Sequence, residues 1–230
     1  DNWWGPPIHG SQGPCGPCSE LHYDFGQGKG CNSNDCGPNC SNFMGDSNES
    51  CNRFVELWNL VFMQFDYQSD GSKVPLPAPG IDTGMGLERA AVILQGVNTI
   101  YETDLFTPLI KKVESLSDTK YGAHIETDYA VRAVAEHARS ATFLIADGVV
   151  PGNEGRGYVL RRLIRRAIRH ARRLGIANEC LGGIAEITIR DMGSIYPELR
   201  NHREFIITTI QLEEKRFNQA FTSGYAVLED

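Results

Sequence analysis

Apolar residues run almost unbroken through 54–65 (FVELWNLVFMQF). The run is aromatic and β-branched, so it predicts a strand central in a sheet. Shorter strands are expected over 20–24 and 80–83, with Asp70-Gly71 as a turn and Pro75, Pro77 and Pro79 marking an extended connection. The 80–83 strand leads into Gly84-Met85-Gly86 and then a helix over 87–95. Residues 1–19 are so rich in Gly and Pro that regular structure is not expected to persist there. From about Asp104 the period becomes helical. Over 128–145, Val131, Val134, Ala135, Ala138, Ala141, Thr142 and Ile145 share one face. Pro151, Gly152, Gly155 and Gly157 break the pattern within 148–157. A second helix over 158–174 carries the stripe Leu160, Leu163, Ile164, Ala167, Ile168, Ala171 and Leu174, and a third covers 204–221. No internal repeat is visible, and strands give way to helices near 98–107.

One segment follows neither period. Residues 26–50 are rich in Gly, Asn, Ser and Cys, with too few apolar side chains to pack unaided, and 41–50 is expected to be disordered. Cys31, Cys36, Cys40 and Cys51 are spaced C-x4-C-x3-C-x10-C in and beside it. Four soft ligands where folding energy is lacking suit a closed structural Zn2+ site. The spacing is not the tight paired form, so free thiols in a mobile loop are the alternative. Cys15-Gly16-Pro17-Cys18 has the C-x-x-C form of thiol oxidoreductases. Such a motif should follow a strand and open a helix. Here a Gly/Pro stretch precedes and a strand follows, which points instead to a turn lining a site. An odd total of seven cysteines without a secretory signal argues against a disulfide framework and for a reduced, cytoplasmic compartment.

The totals, 41% hydrophobic and 22% charged over 230 residues, are ordinary for a globular protein. No apolar run approaches the roughly 18 residues of a membrane span. The start, Asp1-Asn2-Trp3-Trp4, carries neither an initiator Met nor a signal peptide and reads as excised from something longer. The net charge of −7 speaks against a nucleic-acid partner. Yet eight arginines and no acidic residue lie between Arg156 and Arg173. Arg161, Arg165, Arg169 and Arg172, with Arg162, Arg166 and Arg173, stand opposite the apolar stripe. A solvated face mixes signs for i,i+4 pairing, whereas unrelieved positive charge suits the phosphates of an RNA. Asp128, Glu136 and Asp147 are near enough in sequence to answer part of it.

Asp82-Thr83-Gly84-Met85-Gly86-Leu87-Glu88-Arg89 is the most informative word. Glycines let a ligand approach backbone, a helix N-terminus offers N–H groups to anions, and an Arg adds a fork for phosphate oxygens. The alternative is an ordinary strand-to-helix turn with a solvent-facing Arg. The whole word resembles motif 3 of class II aminoacyl-tRNA synthetases, in the form found in the alanyl-tRNA synthetase family. Residues 13–20 (GPCGPCSE), 57–64 (LWNLVFMQ) and 153–162 (NEGRGYVLRR) resemble the same family in the same order.

The resemblance implies an α+β fold: part of a class II antiparallel sheet with its motif 3 helix over 1–103, interrupted by the Cys-rich insertion at about 26–52. An all-helical tRNA-recognition domain, incomplete, would follow over 104–230. It implies alanine–tRNA ligase chemistry with ATP and Mg2+. Gly84, Gly86 and Arg89 would hold ATP, Arg89 at the γ-phosphate. Trp4, Asn59, Val61, Asp82 and Gly84 would hold L-alanine, with Asp82 as a buried carboxylate facing the ammonium. The Trp4 match is looser, because 5–12 departs from the family spacing. An apolar pocket discriminates by only about 1–3 kcal/mol per methylene, so glycine would have to be rejected by editing elsewhere. Asn153, Arg156, Arg161, Arg162, Arg165, Arg166 and Arg169 would meet tRNA-Ala, Asn153 helping to read the acceptor-stem G·U pair. Its acidic partner in the family would lie beyond Asp230. No Ser/His/Asp or Cys/His set is present, as expected where catalysis is positioning and charge stabilisation. Motifs 1 and 2 are absent, so this stretch alone is expected to give only background ATP–pyrophosphate exchange. A zinc-stabilised RNA-binding module without activity is the competing reading.

Overall fold

The central strand expected from the apolar run is β3, Phe54–Tyr67, and it lies second from one edge of a four-stranded antiparallel sheet of order β1-β2-β3-β4. The other strands are β1 (Trp3–Trp4), β2 (Gly13–Asp24) and β4 (Lys73–Met85). The computed structural model describes residues 2–6, 12–31, 36–38, 40, 51–177 and 179–229. The expected disorder of 41–50 lies outside the described residues.

Two expectations need correction. Residues 13–19 are not irregular and the C-x-x-C is not a turn: both belong to β2. Two devices let Gly and Pro stay in this strand. Pro14 sits next to its start, and β3 carries an extra residue opposite Cys15–Cys18, where the register shifts. At that bulge the Phe62 carbonyl oxygen fills the space over Gly16, where an added Cβ would stand 1.8 Å away. Pro75, Pro77 and Pro79 are likewise inside β4. Between the pairs Phe65–Pro75 and Met63–Gly80, β4 passes five residues while β3 passes two, so Pro77 and Pro79 fall in a bulge of an outer strand, where a missing N–H costs no ladder bond.

Helix α1, Leu87–Gln95, follows β4 as expected and ends at Gly96 in the left-handed region. Five-residue α6 (Pro197–Asn201), α2 (Thr107–Leu116) and α5 (Leu181–Met192) accompany the three foreseen helices α3 (Ile125–Ala146), α4 (Gly155–Arg173) and α7 (Arg203–Glu229). The chain divides into two compact units, Asp1–Gly96 and Val97–Asp230. The helical unit owns the large core. Phe106, Leu109, Val131, Val134, Ile145, Leu160, Ile164, Ile184, Ile206 and Ile210 are fully or almost fully buried there. The stripes read from α3 and α4 face inward, with Leu163 the one half-buried member. The sheet buries little, and Leu21, Phe62, Ile81 and Met85 stand exposed on one of its faces.

Candidate functional site

The strand register sorts the candidate residues of the sheet unit. Directly opposed residues of antiparallel strands share a face, as do residues two apart. Cys18 opposes Val61, which opposes Asp82; Glu20 opposes Asn59, which opposes Gly84. Trp4 opposes Gly16, two residues before Cys18. Trp4, Asn59, Val61, Asp82 and Gly84 therefore stand on one face. No Cβ built on Gly84 would meet anything within 4 Å, so the sheet is open there.

A second bulge completes the set. Leu21 opposes Trp58 but His22 opposes Glu56, leaving Leu57 as the extra residue. Without it Glu56, three residues from Asn59, would point to the other side; with it, Glu56 shares the Asn59 face. Arg89 in the first turn of α1 reaches the same place: its Nη1 donates to the Glu56 carbonyl (2.6 Å) and lies 3.5 Å from the Glu56 carboxylate. Its stem folds over Gly86, where an added Cβ would lie 3.3–3.5 Å from Arg89 carbons.

Polar chemistry on this face is partly committed. Asn59 Nδ2 donates to Glu20 Oε1 at 3.3 Å, while Asn59 Oδ1 is buried with no hydrogen-bond partner among the described residues. Glu20 also has His22 Nε2 at 3.7 Å. Burial pushes the Cys18 thiol up, and the Glu20 and Glu56 carboxylates add to the effect. Asp82, expected buried, is exposed, because β4 has no neighbour on its other side among the described residues. Glu20 and Glu56 were missed in the sequence. Glu20 ends the quoted 13–20 word and was available as a signal; Glu56 depends on a bulge that no local pattern announces.

The cysteine cluster of the insertion closes between β2 and β3. The sulfurs of Cys31, Cys36, Cys40 and Cys51 all lie within 4.8 Å of one another. Cys15 and Cys18 are buried in β2 and take no part in that group.

In the helical unit, α4 opens at the tight loop before it. An added Cβ on Gly157 would stand 2.6 Å from the Val150 carbonyl oxygen, and Gly155 is in the left-handed region (φ 53°). Asn153 is exposed on this loop, and its Oδ1 accepts a hydrogen bond from Arg161. A groove of about 400 Å³ is lined by Tyr158, Phe217, Arg161, Arg162, Arg165, Arg166 and Arg169.

The arginines are not equivalent. Glu213 of α7, 1% exposed, takes Arg165 Nε at 2.7 Å and Arg161 Nε at 3.4 Å. Arg172 donates to Asn218, and the guanidinium groups of Arg165 and Arg172 lie over Phe217 and Phe221. Arg156, Arg162, Arg166 and Arg169 remain exposed, Arg166 donating to the Tyr129 hydroxyl. The positive charge of α4 is thus relieved in part by a carboxylate 48 residues away.

Comparison with known proteins follows the same outline. The family model described as tRNA synthetases class II (A) matches residues 1–230. An alanine–tRNA ligase of Dehalococcoides mccartyi is 50% identical over all 230 residues, which are 25% of its own length. Those of Anaeromyxobacter dehalogenans and Desulfosudis oleivorans are 48% and 45% identical over the whole of this chain, covering 24% and 25% of their lengths. The chain spans about a quarter of the curated relatives it matches.

Proposed function

Because this chain belongs to the class II tRNA synthetase family, we propose that it forms part of an alanine–tRNA ligase, its sheet unit holding ATP and alanine and its helical unit meeting tRNA-Ala. The observation that carries this reading is the β3 bulge at Leu57, which brings Glu56 and, with it, Arg89 onto the face of Asn59, Asp82 and Gly84. Alanine's ammonium is matched by the exposed Asp82 carboxylate and by the buried, unpartnered Asn59 Oδ1. Glu20 holds the amide nitrogen, so the oxygen is left as the acceptor without a partner among the described residues. Val61 and Trp4 bound the space for a methyl side chain, and Gly84 leaves the backbone open to a close approach. Arg89 waits against Glu56 until γ-phosphate oxygens offer a stronger bidentate partner.

In the reaction, an alanine carboxylate oxygen bonds to the α-phosphorus as the bond to pyrophosphate breaks. The acyl group then passes to a hydroxyl oxygen of the tRNA 3′ end as its bond to the phosphate breaks and AMP leaves. Glu20 and Glu56 would supply hard oxygen donors of the kind Mg2+ takes, and the ion when bound would offset phosphate charge. The protein's share is orientation and preorganised charge rather than a nucleophile.

On the helical unit, Arg156, Arg162, Arg166 and Arg169 offer phosphate contacts, with Tyr158 and Phe217 as flat surfaces beside them. Asn153, its oxygen taken by Arg161, has its –NH2 left to donate to base edges. These activities belong to the longer protein, and the 230-residue stretch alone is expected to give background exchange. ATP–pyrophosphate exchange on the full-length protein tests the reading. Arg89→Ala should lower the alanine-dependent rate about 10²–10³-fold. A full-length protein that binds tRNA-Ala without any exchange would favour the non-catalytic RNA-binding module.

A further inference from the structure

The four thiols that bridge β2 and β3 play no part in the proposed reaction, and they form the tightest cluster of potential ligands among the described residues. Cys31 Sγ and Cys40 Sγ are 3.4 Å apart, and Cys36 Sγ and Cys51 Sγ are 3.5 Å apart. Cys40 and Cys51 are buried and Cys31 and Cys36 half-buried. A metal at about 2.3 Å from four tetrahedral sulfurs separates them by roughly 3.8 Å. The cluster is therefore sized for one ion, too narrow for a cluster of several irons and too wide for sulfur–sulfur bonds. All four donors are soft sulfur, with neither imidazole nor carboxylate in the group, which selects zinc over magnesium or calcium.

The surroundings suit that ion. Four thiolates around Zn2+ leave a net charge of −2, which needs positive groups close by. Arg53, two residues after Cys51, borders the cluster: a Cβ built on Gly30 would meet both Cys36 Sγ (3.1 Å) and Arg53 Cδ (3.5 Å), while Arg53 Nε and Nη2 grip the Asp24 carboxylate, each at 2.7 Å. Around these residues the chain has almost no apolar material. Its order rests on backbone bonds from Phe25 N–H to the Arg53 carbonyl (2.8 Å) and from Asn52 N–H to the Lys29 carbonyl (3.2 Å).

We infer that Cys31, Cys36, Cys40 and Cys51 bind one structural Zn2+ ion, with Arg53 as its outer-sphere cation, and that this ion clips the end of β2 to the start of β3. The clip lies two residues beyond the His22–Glu56 pair, where the extra residue in β3 aims Glu56. Zinc here substitutes for the hydrophobic core that the insertion lacks and holds the register from which the polar face is built. The inference does not rest on the ligase reading, since zinc content and exchange activity are separate measurements.

The test uses full-length protein purified with a thiol reductant and its Cys36→Ser and Cys180→Ser variants, with zinc counted per chain by elemental analysis. Cys36→Ser should hold one zinc fewer than wild type, and Cys180→Ser should match wild type. Because Cys36→Ser also removes a clip on the sheet, wild-type protein grown on cobalt provides a second reading. Its visible spectrum should carry the intense bands of a tetrahedral tetrathiolate, and a mercurial that titrates thiols should abolish them. Equal zinc in wild type and Cys36→Ser would overturn the inference. So would a cobalt spectrum lacking those bands, or mass mapping that finds Cys31–Cys40 and Cys36–Cys51 joined as disulfides in the reduced preparation.

Discussion

Gly16 is the residue whose identity is most tightly set by its neighbours. A side chain there would overlap the Phe62 carbonyl oxygen at 1.8 Å, an obstacle made of backbone that cannot rotate away. Gly16→Ala should therefore destabilise the sheet unit by about 3 kcal/mol or more, the upper end of overpacking effects, as read from chemical denaturation. Asn59 acts through a different principle. Its buried, unpartnered oxygen is costly until a donor arrives. Asn59→Ala should raise KM for alanine about 10- to 100-fold, the loss of one hydrogen bond to a charged group, while KM for ATP changes little. Glu20→Ala should reproduce part of that effect without touching substrate, because it releases the Asn59 amide. If both variants left alanine KM at the wild-type value in exchange assays, the alanine site would have to lie elsewhere.

Helix α4 combines two populations of arginine that look alike in sequence. Arg161 and Arg165 converge on buried Glu213, so they tie α4 to α7. Glu213 is buried but its arginine partners reach solvent, so its removal loses its pairing with them without stranding a buried charge. Glu213→Ala should accordingly cost about 1–3 kcal/mol, measured by denaturation of the full-length protein. Arg169 and Arg162 are exposed. Arg169→Ala should leave stability within about 0.5 kcal/mol and flatten the salt dependence of tRNA-Ala binding by a slope of about 1. A variant with the wild-type salt slope would remove Arg169 from the interface.

Across the molecule, burial and hydrogen bonding decide which titratable groups matter. His137 and His170 lie in the helical unit, and burial first of all, with neighbouring arginines, holds both below the usual histidine range. The native state thus resists protonation more than the unfolded chain does. The stability from keeping them neutral is intact above about pH 6.5 and is lost as pH falls toward their lower native values. Thermal unfolding followed between pH 7.5 and about 5 should show Tm falling on the acid side, with a shallower fall in His170→Leu. Asp24 behaves likewise at lower pH: hydrogen bonds from Arg53 and then the Gly26 N–H bring it to about 2, so its contribution fades only as pH drops below its ordinary value of 3.8. Burial, reinforced by Glu214, pushes the Cys180 thiol up to about 12. Cys180 should resist alkylation at pH 8 in native protein and react only on unfolding.

Some of this was legible in the chain and some was not, and the line between them is physical. Local periodicity and turn chemistry sufficed for β3, for α1 after its glycines and for the inward faces of α3 and α4, since each depends on residues within a few positions. The same locality made the four long words recognisable and the four insertion cysteines stand out. What escaped depends on partners far along the chain. Residues 13–19 become a strand because β3 bulges around Gly16, Glu56 joins the polar face because Leu57 is an extra residue opposite β2, and Glu213 quiets two arginines 48 and 52 residues before it. Pairing register and charge burial are properties of two segments at once, and no window on one of them contains the other.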